Sequence, residues 1–205
     1  MSKSEAHAPR AWQRMLSGRR LDLLDPSPAD IAIEDIAHGL ARVARWNGQT
    51  LGAHAFSVAQ HVLVVEEIGA ALNPDWPARW RLAALLHDAP EYVIGDLISP
   101  FKAAVGLDYK AFEAKLLAAI HRSFTLPFPL PGDITKAIKQ ADRIAAFFEA
   151  TVLAGFEKAE AERFFGRPEP MDADHRVKLE ALEPWPAGIA QQAFLARHRE
   201  LLRAL

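Results

Sequence analysis

The chain of 205 residues contains no cysteine. This absence excludes disulfide bonds, thiolate zinc sites and a cysteine nucleophile, and it is compatible with a reducing cytosol. Any metal site in the chain must therefore use histidine nitrogen and carboxylate oxygen atoms.

The chain also lacks long apolar runs and an excess of either charge. No stretch approaches the ~20 apolar residues that a membrane span requires, and residues 1–20 lack the apolar segment of a signal peptide. We therefore expect a soluble, cytoplasmic protein with no membrane partner. The 24 basic residues are scattered among 26 acidic ones, so no basic face predicts binding to duplex nucleic acid. A small phosphorylated substrate needs only a few local cations.

Helical periodicity dominates the chain, and 50% of its residues are hydrophobic. That content is enough to bury the core of one domain. There is no convincing alternating strand pattern and no internal repeat. The pattern predicts an all-α, single-domain protein whose main helices span residues 34–45, 58–72, 78–87, 109–124, 134–154, 158–165 and 188–204, with a further short helix in 173–182.

Local signals predict two of the helix ends. Ser57 followed by Gln60 fits a capping box at the start of the second helix, which places His61 in an early turn. Pro90 lacks an N–H and crowds the carbonyl group four residues earlier, so a continuous helix through it is disfavoured. We expect a break or kink near Ala89.

His87 and Asp88 form the most informative pair in the sequence. They follow an apolar helical run, which a fold that needed only burial would continue with leucine or alanine rather than with two groups that are costly to desolvate. His61 and Asp142 are likewise set in apolar helical segments. Any one of the four alone is better interpreted as a hydrogen-bonded polar residue of the core or surface. Together they predict a metal site with two imidazoles and two carboxylates.

This ligand set indicates the kind of metal. Mixed nitrogen and oxygen ligands favour manganese, cobalt, iron or zinc over magnesium. Four protein ligands on an octahedral ion leave positions open for water and substrate, which favours catalysis over a structural role. We expect one divalent ion held by His61, His87, Asp88 and Asp142.

The ordered pattern H…HD…D resembles the HD-domain superfamily of metal-dependent phosphohydrolases. Within that superfamily the chain looks like the bacterial 5′-deoxynucleotidase branch and related phage deoxynucleoside triphosphohydrolases, over roughly residues 45–150. The segments that carry the resemblance are Arg45-Trp46, 57–61 (SVAQH), 87–91 (HDAPE), 95–102 (GDLISPFK) and 140–142 (QAD). With it we expect an HD-domain helical bundle at residues 28–155, preceded by an N-terminal extension (1–27) and followed by a C-terminal helical extension (156–205) packed on the core.

The resemblance also implies roles for five further residues. Glu91 is expected to orient or deprotonate the attacking water or to protonate the leaving oxygen, and Asp96 to lie beside the sugar or the scissile group. Arg45 and Lys102 are expected to hold phosphate oxygens, and Trp46 to pack against sugar or base. The alternatives are a helix N-terminal charge for Glu91, a turn former for Asp96, surface cations for Arg45 and Lys102, and core burial for Trp46.

These expectations favour an enzyme that hydrolyses the phosphate of deoxyribonucleoside 5′-monophosphates with metal-activated water. The nearest alternative is a triphosphohydrolase that releases triphosphate from deoxyribonucleoside triphosphates, which would need more cations. A non-catalytic HD module that binds nucleotide or protein is a further alternative. A cyclic-dinucleotide phosphodiesterase is disfavoured, because the Gly-Tyr-Pro element of that branch is absent. The region beyond Gly155 can close the pocket, mediate a homodimer or do neither.

Overall fold

A computed structural model describes residues 11–97 and 109–205 of the chain. Within these residues it contains nine α-helices, one short antiparallel hairpin and two short 3₁₀ helices, which confirms the predicted all-α fold. The strands are β1 (Trp12–Arg14) and β2 (Arg20–Asp22), and the 3₁₀ helices are Pro28–Asp30 and Arg45–Gly48. The α-helices are α1 (Ile33–Leu40), α2 (Val58–Leu72), α3 (Ala78–Leu85), α4 (Glu91–Ile94), α5 (Tyr109–Ser123), α6 (Gly132–Val152), α7 (Lys158–Phe165), α8 (Ala173–Glu180) and α9 (Ala187–Arg203).

The first helix is shorter than the sequence predicts. It ends at Leu40 and does not continue to residue 45, so the prediction was wrong over its last turn. The cause is tertiary: Ala44 pairs with Ser57 in an isolated β-bridge, and the Arg45 N–H donates to the Phe56 carbonyl at 2.8 Å. These bonds override the helical propensity of an alanine-containing segment and bring Arg45 beside the start of α2.

The hairpin is the element that the sequence pattern missed. β1 and β2 pair antiparallel with Gln13 opposite Leu21. Strands this short cannot show a recognisable alternation, and Leu21 is the residue they bury in the core. The turn of the hairpin is tied to α1, because the N–H and the hydroxyl of Ser17 donate to the Asp35 carboxylate at 2.9 and 2.5 Å.

Helix α2 lies at the centre of the packing and contacts α1, α3, α6 and α9. One side contributes Val58 and Val62 to the larger hydrophobic cluster, and the other contributes Val65 and Ile68 to a second cluster with α6. A helix that is apolar on several faces is a buried helix, so any polar group on it needs a partner inside the protein. No helix in the described part of the chain is both long and apolar enough to cross a membrane.

The C-terminal helix α9 packs on α1, α2 and α3. Phe194 of α9 is fully buried in the larger cluster. An ion-pair network adds to this contact: Glu66 of α2 accepts from Arg81 of α3 at 2.7 Å and from Arg197 of α9 at 2.8 and 2.9 Å. One buried carboxylate therefore joins three helices.

Candidate metal centre

His61 is positioned by the start of α2. The Ser57 hydroxyl accepts a hydrogen bond from the Gln60 N–H at 3.3 Å and so caps the helix. The second half of the predicted capping box does not form, because the Gln60 side chain donates to the Glu183 carbonyl and accepts from the Trp185 N–H. His61 thus lies in the first turn of α2, and its imidazole is fully buried.

His87 and Asp88 lie in the turn between α3 and α4. Helix α3 ends at Leu85 and α4 begins at Glu91, so the break predicted from Pro90 is confirmed. On a regular helix, adjacent side chains diverge by ~100°. The turn instead lets both side chains face one point beside α2.

Three of the predicted ligands form a group that could hold a metal ion. The group consists of His61, His87 and Asp88, whose ligand atoms lie within 4.8 Å of one another. Asp88 Oδ2 is 3.4 Å from His61 Nε2 and 3.3 Å from His87 Nε2. Residues 11–97 and 109–205 contain no second group of this kind.

The Nδ1 atoms of both histidines face acceptors. His61 Nδ1 is 2.5 Å from Glu149 Oε1, and His87 Nδ1 is 2.8 Å from the Ala84 carbonyl oxygen. Each Nδ1 therefore carries a hydrogen, and Nε2 is the nitrogen turned toward the group. Both Nε2 atoms are buried and lack a hydrogen-bond partner of good geometry among the described residues. Converging imidazole nitrogens with this orientation are suited to metal ligation.

Asp142 reaches the group from α6. Its Oδ1 is 3.3 Å from His61 Nε2, and its side chain is 39% exposed. The side chains of Asp88 and His87 are 21% and 13% exposed. The fourth predicted ligand thus borders the three-residue group on its more exposed side.

The electrostatics of the group favour a cation. Burial and the nearby Arg45 guanidinium both act to lower the pKa of His61. The carboxylates of Glu149, Asp142 and Asp88 outweigh them and raise this pKa well above its usual value. Burial acts to raise the pKa of Asp88, but the two adjacent histidines lower it well below its usual range. A divalent ion would supply the positive charge that these carboxylates stabilise, so the residues present fit a metal.

Glu91, the first residue of α4, is buried near this group. Burial raises its pKa, Asp88 and Asp96 raise it further, and the pKa lies at about 9 despite the opposing charge of Arg45. Its Oε2 atom is buried without a hydrogen-bond partner in the described ranges. In the metal-free protein, Glu91 therefore holds a proton at neutral pH.

Glu149 is the residue of the site that sequence reasoning missed. It is fully buried, and while Oε1 contacts His61, Oε2 accepts from the Trp46 indole N–H at 2.9 Å and lies 3.3 Å from Arg45 Nη2. Burial acts to raise its pKa, but Arg45 and His61 lower it to about 2. A signal was present in the sequence. A lone carboxylate interrupts the apolar run 144–150, two helical turns after Asp142 and on the same face of α6.

Arg45 links the metal-facing part of the site to Asp96. Its Nη1 is 3.3 Å from Asp96 Oδ2, and its side chain is only 14% exposed, so it is not an ordinary surface cation. Asp96 follows Gly95, which has a φ of 76° at the end of α4. This left-handed conformation favours glycine and redirects the chain so that Asp96 meets Arg45.

Trp46 borders the site and packs inside the protein. Its ring centroid lies 5.6 Å from that of Phe156 and 5.8 Å from that of Phe165, and its indole N–H is bonded to Glu149. These contacts agree with the alternative of core burial, and stacking on a substrate stays a prediction. Lys102, the other predicted substrate-binding residue, lies outside the described residues.

Comparison with known proteins finds relatives but no matching protein-family model. An uncharacterized protein of Rhodobacter capsulatus is 59% identical over 96% of this chain and 98% of its own length. A 5′-deoxynucleotidase of Vibrio cholerae is 29% identical over 52% of this chain and 66% of its own length. A 5′-deoxynucleotidase of Vibrio parahaemolyticus is 32% identical over 47% of this chain and 54% of its own length. The chain is thus related to 5′-deoxynucleotidases over about half of its length.

Proposed function

The chain belongs to the same protein family as the uncharacterized Rhodobacter capsulatus protein, and we propose that it is a metal-dependent phosphohydrolase of small nucleotides with an HD-type site. The relationship to 5′-deoxynucleotidases supports the nucleotide class. The observation that carries the proposal is the convergence of two buried Nε2 atoms, from His61 and His87, on the Asp88 carboxylate.

His61, His87, Asp88 and Asp142 would hold one divalent ion, with manganese, cobalt, iron or zinc suited to the ligand set. Such an ion polarises phosphate oxygens and lowers the pKa of a coordinated water toward neutrality. The protein contributes the orientation, because both Nδ1 atoms are held by acceptors and both Nε2 atoms are turned inward. The more exposed Asp142 marks the side from which substrate would enter.

Glu91 is the proposed proton carrier of the site. In the metal-free protein, burial and the charges of Asp88 and Asp96 raise the pKa of this carboxyl group to about 9. A bound cation would lower this pKa toward the range in which a carboxyl group exchanges its proton with a leaving oxygen. The burial that raises this pKa also shields the group from bulk water. Asp96, which contacts Arg45, is proposed to lie beside the sugar or the scissile group.

Arg45 is the proposed phosphate ligand. Its contacts with Asp96 and Glu149 are 3.3 Å long, whereas strong pairs between guanidinium and carboxylate groups lie at about 2.7–2.9 Å. The N–H groups of this side chain can therefore donate to a phosphate oxygen without losing an optimal ion pair. We propose Lys102 as a second phosphate ligand and Trp46 as a wall of the same region.

A monophosphate is the favoured substrate. A triphosphate would need additional cations, and Arg81, one candidate, is held by Glu66 at 2.7 Å. Arg143, which follows Asp142 on α6, is exposed and stays available to a triphosphate. The relationship to 5′-deoxynucleotidases favours the shorter substrate, and we propose deoxyribonucleoside 5′-monophosphates as substrates, with nucleoside and orthophosphate as products.

Product analysis tests this function. The protein is stripped with a chelator, reloaded separately with manganese, cobalt, zinc or magnesium, and incubated with deoxyribonucleoside mono- and triphosphates. Asp88→Ala is the inactivating variant, and Asp133→Ala, at an exposed position in the first turn of α6, is the matched control.

Orthophosphate release from monophosphates that is lost in Asp88→Ala and kept in Asp133→Ala is the expected result. Release of triphosphate would establish the alternative reaction at the same site. Tight metal binding without turnover of any nucleotide would overturn both proposed reactions, the nucleotidase and the triphosphohydrolase, and would favour a non-catalytic binding role.

A further inference from the structure

We propose that Glu149 is a positioning residue that fixes the orientation of His61 for metal binding and ties this histidine to Arg45 and Trp46. The inference rests on the proposed metal site and adds a residue that lies outside the set of ligands. The two carboxylate oxygens of Glu149 contact different partners, His61 on one side and Trp46 with Arg45 on the other.

The first oxygen fixes the imidazole. Glu149 Oε1 lies 2.5 Å from His61 Nδ1. A carboxylate accepts only from a protonated Nδ1, so this contact leaves Nε2 as the nitrogen that can bind a metal. A histidine whose second nitrogen donates to a carboxylate is held in one ring orientation and is a more basic ligand.

The second oxygen holds two neighbours of the site. Glu149 Oε2 accepts from the Trp46 indole N–H at 2.9 Å and lies 3.3 Å from both Nε and Nη2 of Arg45. Arg45 in turn contacts Asp96. A continuous chain of polar contacts therefore runs from a metal-facing histidine to the residue proposed to bind phosphate.

The position on α6 explains why this carboxylate can reach His61. Asp142 and Glu149 are two turns apart on the same face of the helix, and the residues between them on this face, Ala145 and Ala146, are small and buried. His61 of α2 meets both carboxylates, Asp142 at Nε2 and Glu149 at Nδ1. One helix thus places a carboxylate beside each nitrogen of the same ring.

Burial of the Glu149 carboxylate costs folding free energy unless hydrogen-bond donors compensate its charge. Glu149 is 0% exposed, and a buried carboxylate without partners is strongly destabilising. Its three donors compensate the charge. The buried Glu66 also accepts three hydrogen bonds, but its donors are Arg81 and Arg197 and not the proposed metal ligands. Glu66 therefore provides a control for the structural cost of losing a buried, paired glutamate.

The test compares manganese affinity in three full-length variants, Glu149→Leu, Glu149→Gln and Glu66→Gln. Circular dichroism establishes that each is folded at the temperature of the titration, and competition with a chelator of known affinity gives the dissociation constant. Loss of an outer partner of a metal ligand typically weakens binding about 10–100-fold. We expect a loss of this size in Glu149→Leu and no change in Glu66→Gln. A smaller loss is expected in Glu149→Gln, because its single amide oxygen can accept from His61 or from the Trp46 and Arg45 donors but not from both sides.

Each outcome has a separate meaning. A folded Glu149→Leu protein that binds manganese as tightly as the wild type, or no more weakly than Glu66→Gln, overturns the positioning role and leaves the metal site intact. A wild-type protein that binds none of manganese, cobalt, iron or zinc overturns the proposed function itself. If Glu149→Leu does not fold, Glu149→Gln carries the test, because the loss of a charge-assisted bond predicts an affinity at least about threefold lower, and unchanged affinity overturns the inference.

Discussion

Gly39 of α1 packs directly against the backbone of Tyr92 in α4. A Cβ atom at position 39 would lie 2.7 Å from the Tyr92 carbonyl oxygen and 2.8 Å from the Tyr92 Cβ atom. Neither neighbour is a flexible side-chain end, so Gly39→Ala must displace α4 relative to α1. We expect this variant to lose about 1–3 kcal/mol of unfolding free energy, measured by urea denaturation. Because α4 begins with Glu91, phosphohydrolase activity should fall as well.

Gly188→Ala is the matched control for this prediction. Position 188 lies in the first turn of α9, and a Cβ atom there meets nothing within 4 Å. Alanine is a better helix former than glycine by about 1 kcal/mol, so the control should be neutral or more stable. Equal stabilities of the two variants would contradict the close packing of α1 on α4.

Glu66 should contribute more to stability than its neighbour Glu67. Glu66 is buried between Arg81 and Arg197, which are 32% and 19% exposed. Breaking a buried pair costs about 3–5 kcal/mol, and partial exposure of both arginines reduces this to about 2 kcal/mol for Glu66→Gln. Glu67 pairs with the exposed Lys178, and Glu67→Gln should change stability by about 0.5 kcal/mol or less. Urea denaturation of both variants measures the difference, and an equal effect would show that the three-helix network adds nothing.

His198 should make the fold sensitive to mild acid. Burial lowers its pKa to about 4, with only a small opposing effect of Glu34. The unfolded chain binds a proton at its ordinary value of about 6.5, so the unfolded state binds more protons between these two values. The part of the unfolding free energy that depends on the neutral His198 is therefore fully present above pH 6.5. It is lost as the pH falls toward 4, with a slope that approaches about 1.4 kcal/mol per pH unit.

The measurement for this prediction is the unfolding free energy of wild type and His198→Leu from pH 7.5 to 4. Leucine has no proton to gain, so its stability relative to wild type should rise as the pH falls. His54→Gln, at an exposed position, should follow the wild type. A constant difference between wild type and His198→Leu would contradict the buried neutral imidazole.

Glu91→Gln should lose activity and gain stability. In the metal-free protein the Glu91 pKa is about 9, against a usual value of 4.5. The folded state thus keeps a proton that the unfolded state loses, and raising the pH from 4.5 to 9 destabilises the wild type. Glutamine is neutral throughout, so the chelator-treated variant should be more stable than wild type at pH 8 and similar to it near pH 4.5.

Thermal unfolding at both pH values, with the exposed Glu169→Gln as control, gives the comparison. The turnover of Glu91→Gln should fall by about 100-fold or more, as expected for loss of a general acid or base. A variant that is less stable than wild type at pH 8 would show that Glu91 is ionised in the folded protein.

The sequence predicted the helices whose ends carry local signals. The bounds of α2 and α7 agree with the prediction, and Pro90 correctly indicated the break that separates α3 from α4. The prediction failed at residues 41–45, because the end of α1 is decided by hydrogen bonds that join residues 43 and 45 to residues 58 and 56. Such bonds leave no trace in local periodicity.

The residues of the candidate metal centre likewise divide into those that the sequence alone singles out and those that only helix packing reveals. His61, His87 and Asp88 could be singled out because each is a polar residue where an apolar one was expected, and the structure brings them together. Glu149 is also a polar residue in an apolar run, yet it was missed. Its role depends on the contact with His61 of α2, which the sequence does not show. The Trp46 indole likewise donates to Glu149, which lies 103 residues away in the sequence, so no local pattern indicates this partner.

The most direct test of the account is the location of a bound ion by anomalous diffraction from crystals of the manganese-loaded protein. We expect one strong peak within bonding distance of His61 Nε2, His87 Nε2 and an Asp88 oxygen, with Asp142 on its exposed side. The absence of a peak there at saturating manganese, or a peak at other residues, would contradict the metal centre on which the proposed function depends.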